Sequence, residues 1–186
     1  MGIRSFIAVN LDGDLKKKIA EETENLRKIG GDIKWVPPEN LHITLKFLGD
    51  TDEDLIPTVQ ERLSVISSSS APFSLRLSGA GVFPDKRRPR VIWIDINNPG
   101  ELIKLQGSVE VSMVSIGFVK EDRPFSAHLT LGRVKALKNL KSLIDPLEAL
   151  RDRDFGNIEV NSFSLMKSVL EPKGPEYTVI KEFHFG

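Results

Sequence analysis

The sequence reads Pro38-Glu39-Asn40-Leu41-His42-Ile43-Thr44-Leu45-Lys46 in its first half and Pro124-Phe125-Ser126-Ala127-His128-Leu129-Thr130-Leu131-Gly132 in its second. Both stretches contain His-x-Thr-Leu, and two of the three histidines in the chain lie in this motif, so chance is a poor explanation. The motif occurs in one pair of copies, whereas a solenoid needs three or more repeats. The pattern therefore predicts one domain, residues 1–186, with an internal duplication and one motif in each half.

Each motif has the alternation of a β-strand. Successive strand side chains point to opposite faces, so each histidine shares a face with its threonine while the intervening Ile43 or Leu129 faces the core. An imidazole has an ordinary pKa of about 6.5, which suits it to exchange protons near neutral pH. A threonine hydroxyl can donate to a phosphate oxygen. Two such strands facing each other would serve in-line displacement at a phosphate with no metal or covalent nucleophile.

Composition excludes several classes of protein. An apolar share of 40% and a charged share of 28% are typical of an ordered globular chain. The chain has no cysteine, which excludes disulfides, thiolate zinc sites and cysteine nucleophiles. We expect no signal peptide and no membrane span, because the apolar runs are too short. We predict a cytoplasmic protein, with which the lack of cysteine is compatible, and a monomer. The net charge of zero does not indicate a surface for a long nucleic acid, but it is compatible with binding of a short RNA end.

Periodicity predicts an α+β fold. Helical patterns occur at about 12–29, 52–67, 99–115 and 138–152, and Pro146 is expected to bend the last helix. Several predicted strands are adjacent in the chain, which favours largely antiparallel sheets covered by helices. The predicted strands are Ser5–Asn10, His42–Leu48, Phe73–Phe83, Val91–Ile96, His128–Val134, Ile158–Met166 and Tyr177–Phe185.

Taken together, these features resemble the two-histidine (2H) phosphoesterases, and among them the RNA 2',3'-cyclic phosphodiesterases, also known as 2'-5' RNA ligases. The resemblance covers nearly the whole chain. Besides both motifs it rests on Arg4-Ser5-Phe6-Ile7-Ala8-Val9, Lys34-Trp35-Val36-Pro37-Pro38-Glu39-Asn40-Leu41, Lys46-Phe47-Leu48-Gly49, Gly81-Val82-Phe83-Pro84, Arg90-Val91-Ile92-Trp93 and Gly132-Arg133-Val134.

The resemblance implies two pseudo-symmetric lobes, each an antiparallel sheet with helices on its outer face, around a central cleft without cofactor or metal. It implies hydrolysis of RNA 2',3'-cyclic phosphate ends to 2'-phosphates. His42 would donate a proton to the departing 3' oxygen, His128 would activate water, and Thr44 and Thr130 would bind the phosphate. A pseudo-twofold site makes the two histidine roles formally interchangeable.

Five further residues are candidate substrate contacts. Lys46 has the parity of His42 and Thr44 on a regular strand, whereas Arg133 reaches the site only if a bulge re-aims it. Trp35, placed in a loop before Val36-Pro37-Pro38, and Phe83, at a strand end, are candidates for stacking on bases. Arg90 ends the basic run Lys86-Arg87-Arg88-Pro89-Arg90 and is a candidate for binding RNA. The alternative interpretation is that this run is a solvated loop.

Three other interpretations stay open. The same site can run in reverse as an RNA ligase, although water disfavours that direction. A non-catalytic RNA-end or nucleotide-binding module predicts the loss of a motif residue, and both motifs are intact. A metal hydrolase is disfavoured because no His-Glu-x-x-His pattern accompanies the pair. His184 lies between two phenylalanines without a threonine partner, so we predict a surface strand residue with no catalytic part.

Overall fold

The computed structural model describes residues 2–29, 32–136, 141–171 and 174–186, and these residues form two antiparallel sheets with helices. The α+β class and the two-sheet architecture are confirmed. None of the helices in the described part of the chain is long and apolar enough to cross a membrane. In chain order the elements are β1 Gly2–Asn10, α1 Gly13–Glu22, α2 Glu24–Arg27, β2 Asp32–Trp35, β3 His42–Asp52, α3 Ile56–Ser68, β4 Phe73–Phe83, β5 Val91–Asn97, α4 Gly100–Ser115, β6 His128–Ala136, α5 Lys141–Ala149, β7 Asp154–Val160, β8 Ser162–Glu171 and β9 Gly174–His184.

The two motifs lie in different sheets. Sheet A has the strand order β3-β1-β8-β9 and sheet B has the order β2-β6-β5-β4-β7. The helices pack on the core faces of the sheets, with α3 against β8 and β9, α4 against β3, and α5 against β4. The other faces meet where β3 and β6 approach, with Cα atoms of the two strands within 8 Å of each other. Each motif strand thus has one buried face and one face on a shared cleft.

The helices follow the predicted positions with one interruption. Asp12 caps α1 by accepting a hydrogen bond from the Leu15 N–H at 2.8 Å. The predicted helix over 12–29 is divided at Thr23, whose hydroxyl donates to the Ile19 carbonyl at 2.7 Å. A threonine that bonds the preceding turn in this way often bends or ends a helix. Helix α5 includes Pro146, and residues 138–140 of the predicted last helix lie outside the described residues.

Two strand predictions were wrong. The predicted strand Ile158–Met166 is two strands, because the chain leaves β7 in sheet B after Val160 and enters β8 in sheet A at Ser162. The four-residue strand β2 was missed. Its sequence, Asp-Ile-Lys-Trp, is too short for a recognisable period, and it is fixed by pairing with β6. Trp35 therefore ends a strand rather than lying in a loop.

Both motif strands carry a β-bulge directly after the threonine. In sheet A, Ala8 pairs with Thr44 and Ile7 with Lys46, so Leu45 is the extra residue. In sheet B, Trp93 pairs with Thr130 and Ile92 with Gly132, which makes Leu131 the extra residue. A bulge shifts the alternation by one residue. Two consecutive residues are buried after each threonine, and the next side chain returns to the cleft.

Candidate active site

The cleft between the sheets contains a cavity of about 350 Å³. Both motif histidines and both motif threonines line this cavity, although the two motifs lie far apart in the sequence. The lining residues are Arg4, Ser5, Phe6, Lys34, Val36, Asn40, His42, Thr44, Phe47, Gly49, His128, Thr130, Arg133, Ser168, Leu170, Pro175 and Tyr177.

Both imidazoles are held by the same local contact. The Nδ1 atom of His42 lies 2.7 Å from the Asn40 carbonyl oxygen, and Nδ1 of His128 lies 2.7 Å from that of Ser126. A carbonyl oxygen only accepts hydrogen bonds, so Nδ1 carries the proton and donates it in both rings. The neutral ring then has an unprotonated Nε2, which is the nitrogen available for catalysis.

The threonines stand beside the rings as the strand period requires. Nε2 of His42 lies 3.1 Å from the Thr44 hydroxyl, and both groups line the cavity. Thr130 occupies the corresponding position in β6, and the bulge at Leu131 separates it from Arg133. A phosphate in this cavity would therefore meet imidazole nitrogens and hydroxyl groups from both sheets.

The His42 ring is largely enclosed by aromatic side chains. Its ring centroid is 4.9 Å from that of Phe6 and 5.3 Å from that of Tyr177, with Tyr177 packed edge-on. Burial lowers the pKa of His42, since desolvation disfavours the charged ring, and the cations Lys16 and Arg133 lower it further. The hydrogen bond to the Asn40 carbonyl opposes this shift. The resting ring is therefore biased toward its neutral form.

His128 contacts a different aromatic side chain. Phe83 packs edge-on against His128 with ring centroids 5.2 Å apart, and Phe83 in turn lies 4.9 Å from Trp93. Phe83, a candidate for base stacking, is thus brought to one of the two histidines, where it supports the ring. Each histidine has an aromatic neighbour, and the two supports come from different sheets.

The cavity is lined by cations and by no described carboxylate. Arg4, Lys34 and Arg133 line it, and the described lining residues include neither aspartate nor glutamate. Arg133 reaches the cavity because the bulge at Leu131 reverses the strand parity. A positive cavity of this size suits an anion such as a phosphodiester.

Comparison with known proteins identifies the family. The family model described as LigT-like phosphoesterase matches residues 9–93 and again residues 94–177, and each match contains one His-x-Thr-Leu motif. The chain belongs to the LigT-like phosphoesterases. These enzymes are the two-histidine phosphoesterases that the sequence resembles.

Relatives within the LigT-like family match along their whole length. RNA 2',3'-cyclic phosphodiesterase of Archaeoglobus fulgidus is 40% identical over 97% of this chain and 99% of its own. The protein of the same name from Methanothermobacter thermautotrophicus is 36% identical over 98% and 99%. A crystal structure of a Thermus thermophilus protein has a TM-score of 0.83 at 32% identity, covering 98% of this chain and 97% of its own. Escherichia coli LigT complexed with 3'-AMP shares the fold, with a TM-score of 0.80 at 24% identity, covering 100% and 99%.

Lys46 of this LigT-like phosphoesterase does not reach the cleft, so that prediction was wrong. The bulge at Leu45 turns Lys46 to the core side, where its side chain is 4% exposed. Its ammonium group donates to the Glu110 carboxylate at 2.7 Å and to the Val119 carbonyl at 2.9 Å. Lys46 thus connects β3 to α4 and to the segment that leads toward the second motif.

Trp35 and Arg90 also lie outside the cavity. The Trp35 ring packs on the core side against Gly132, where an added Cβ would come within 2.9 Å of the ring, and Arg27 lies over it at 5.7 Å. Arg90 has an exposed side chain immediately before β5, and its N–H donates to the Phe83 carbonyl at 2.7 Å. Neither side chain lines the cavity. His184 is exposed on β9, and within the described residues no cluster of three metal-ligating side chains occurs.

Several cavity residues of this LigT-like site were missed by sequence reasoning. Phe47 is 63% exposed in the cleft, and Tyr177 packs against His42 from β9. The sequence contains an indication that Phe47 lies in the cleft. The internal repeat, continued by one residue, aligns Phe47 with Arg133, so the bulge that re-aims one re-aims the other. The sequence contains no such indication for Tyr177, because β9 reaches the first motif only through the pairing of β8 with β1 and of β1 with β3.

Proposed function

We propose that this chain hydrolyses RNA 2',3'-cyclic phosphate ends to 2'-phosphomonoesters, with His42 and His128 as the acid and base. One observation carries the proposal: two imidazoles from different sheets line one cavity with their Nδ1 atoms fixed on backbone carbonyls. The named activity of full-length relatives that are 36–40% identical supports this substrate.

The chemistry follows from the positions of these groups. His128 removes a proton from water, the water oxygen bonds to phosphorus, and the phosphorus–O3' bond breaks opposite the incoming oxygen. His42 gives a proton to O3', leaving a 3'-hydroxyl and a 2'-phosphate. Thr44, Thr130 and Arg133 bind the phosphate oxygens, where their donors offset charge that grows in the transition state. Every proton is moved by an imidazole, so the proposed reaction needs no metal.

The proton donor must be charged before it can act, although burial lowers the pKa of His42 in the free protein. A bound phosphodiester anion beside Nε2 favours the imidazolium form, because a nearby opposite charge raises the pKa of a histidine. Substrate binding thus charges the donor where it is needed. The same groups permit 2'-5' ligation in reverse, because acid and base exchange roles, but excess water opposes it.

An RNA oligonucleotide with a terminal 2',3'-cyclic phosphate tests this proposal. We expect the protein to convert it in the presence of EDTA at the rate seen without chelator, and to yield only the 2'-phosphate. Chromatography against 2'- and 3'-phosphate standards distinguishes the two products. A 3'-phosphate product would contradict the assigned bond cleavage, loss of activity with EDTA would contradict metal independence, and binding without turnover would favour a nucleotide-binding module.

A further inference from the structure

The first motif has a side-chain contact that the second motif lacks. The Asn40 amide donates a hydrogen bond to the Pro175 carbonyl of β9 at 2.9 Å. Ser126 stands at the equivalent position, two residues before His128, and its hydroxyl has no hydrogen-bond partner among the residues that the structure describes. The two motifs thus share the backbone contact to the imidazole and differ in what the neighbouring side chain binds.

The partner of the Asn40 amide lies at the projecting end of the β8–β9 hairpin. Strand β1 pairs with β8 as far as Lys167, whereas β8 and β9 continue to pair through residues 168–171 and 174–177. In sheet A, β1 and β8 separate β9 from β3, so the hydrogen bond joins the segment before β3 to a strand with which β3 does not pair. This end of the hairpin forms one wall of the cavity, with the lining side chains Ser168, Leu170, Pro175 and Tyr177.

Tyr177 connects this contact to the first imidazole. It follows Pro175 by two residues on β9 and packs edge-on against His42, with ring centroids 5.3 Å apart at an angle of 84°. The Phe6 ring contacts both, at 4.9 Å from His42 and 5.0 Å from Tyr177. The Asn40 carbonyl holds Nδ1 of the same imidazole. Asn40 therefore acts on His42 directly through its carbonyl group and indirectly through β9.

We propose that Asn40 is a positioning residue for His42, whose carbonyl group orients the imidazole and whose amide holds β9 so that Tyr177 stays packed against that imidazole. This inference rests on the proposed function, in which His42 gives a proton to O3'. Misplacement of a catalytic group by about 1 Å can cost on the order of 100-fold in rate, so the cover of the donor matters for turnover. Ser126 has no such contact, and the hairpin thus controls one histidine of the pair.

The substitution Asn40→Ser gives the first motif the side chain of the second and retains the backbone carbonyl. On an oligonucleotide with a terminal 2',3'-cyclic phosphate we expect kcat to fall about 3- to 10-fold, the effect of one net hydrogen bond on the population of the held arrangement. We expect KM to change by less than about twofold, because Asn40 is not assigned a contact with the substrate.

Two further variants separate this role from a general loss of structure. When Tyr177→Ala is already present, Asn40→Ser should lower kcat by less than about twofold, because the ring that the amide holds in place is gone. Asn97→Ser is the matched control. It removes an asparagine amide that donates to the Ser78 hydroxyl at 2.6 Å outside the active-site cavity, and kcat should stay at the wild-type value.

NMR titration of the free protein gives a readout that does not depend on turnover. The chain has three histidines, and the ring signals are assigned by replacing each with glutamine. Burial lowers the pKa of His42, and the charged groups that act on it are Lys16 from α1 and Arg133 from β6. Burial raises the pKa of Tyr177, so its hydroxyl stays neutral where His42 titrates. None of these charges changes when Asn40 is replaced by serine.

Release of Tyr177 exposes the His42 ring to water, so the pKa of His42 should rise in Asn40→Ser and in Tyr177→Ala while His128 titrates as in the wild-type protein. An unchanged His42 titration in Tyr177→Ala would overturn the proposal whether or not Asn40→Ser folds. An equal shift of His42 and His128, or a rise in KM at unchanged kcat, would also contradict it. If the wild-type protein turns over no cyclic phosphate, the proposed function fails, and the titration still decides whether Asn40 controls the surroundings of His42.

Discussion

Each motif imidazole is oriented by the backbone two residues before it. The acceptors are the carbonyl oxygens of Asn40 and Ser126, and both distances are 2.7 Å. A backbone acceptor does not depend on the side chain at that position. The two motifs therefore share this contact, although the residue two positions before the histidine is an asparagine in one and a serine in the other. The side chain of Asn40 is free for a separate task and donates to the Pro175 carbonyl on β9 at 2.9 Å.

The pH dependence of kcat/KM separates the two histidine roles. Activity needs a protonated donor, so it falls as pH rises through the donor pKa, and it needs a neutral base, so it falls as pH drops through the base pKa. We expect His42→Gln to abolish the alkaline limb and His128→Gln the acidic limb of the bell-shaped profile. Burial lowers the pKa of His42 and so narrows the pH range of full activity in the wild-type protein. If His42→Gln instead removes the acidic limb, the two roles are exchanged.

At the scale of the element, a one-residue bulge decides which side chains enter the cleft. Strand alternation alone predicts His42, Thr44, His128 and Thr130 in the site, and the structure brings these four together. The same rule fails beyond the threonine. It placed Lys46 in the cleft, whereas the extra residue in each strand buries Lys46 and exposes Phe47 and Arg133 instead.

The buried pair of Lys46 and Glu110 should stabilise the fold. Their side chains are 4% and 15% exposed, so removal of one partner leaves a charge with little access to water. We expect Lys46→Met to lower the free energy of unfolding by about 3 kcal/mol. The double variant Lys46→Met/Glu110→Leu should recover most of this loss, because two apolar side chains leave no unpaired charge.

Urea denaturation measures these differences. The exposed pair Lys104–Glu101, with side chains 74% and 59% exposed, is the control, and Lys104→Met should cost less than about 1 kcal/mol. A loss for Lys46→Met no larger than that of the control would show that the buried pair contributes little.

At the scale of the whole molecule, the fold class and the pairing of the motifs were predictable, because both depend on local periodicity and on one internal repeat. The α+β class is confirmed, and most predicted helices and strands lie within a few residues of their positions. Strand β2 and the contact of Tyr177 with His42 were not predictable, because β2 is fixed by pairing with the distant β6, and Tyr177 reaches His42 only through the pairing of β8 with β1 and of β1 with β3. The packing of the Trp35 ring on the core side was not predictable either, because it depends on contact with Gly132, which lies far from Trp35 in the sequence.

The two-sheet arrangement places one motif histidine in each sheet, since β3 belongs to sheet A and β6 to sheet B. In the proposed mechanism, neither sheet alone supplies both an acid and a base. The proposed reaction thus depends on both sheets, and single substitutions of the two histidines test that dependence.

Turnover of an oligonucleotide with a terminal 2',3'-cyclic phosphate is the direct measurement. His42→Gln and His128→Gln should each lower turnover by at least about 100-fold, with thermal unfolding and circular dichroism unchanged. His184→Gln, at the exposed third histidine, should retain full activity. If either motif variant keeps more than about a tenth of wild-type turnover, the cleft does not act through a pair of imidazoles.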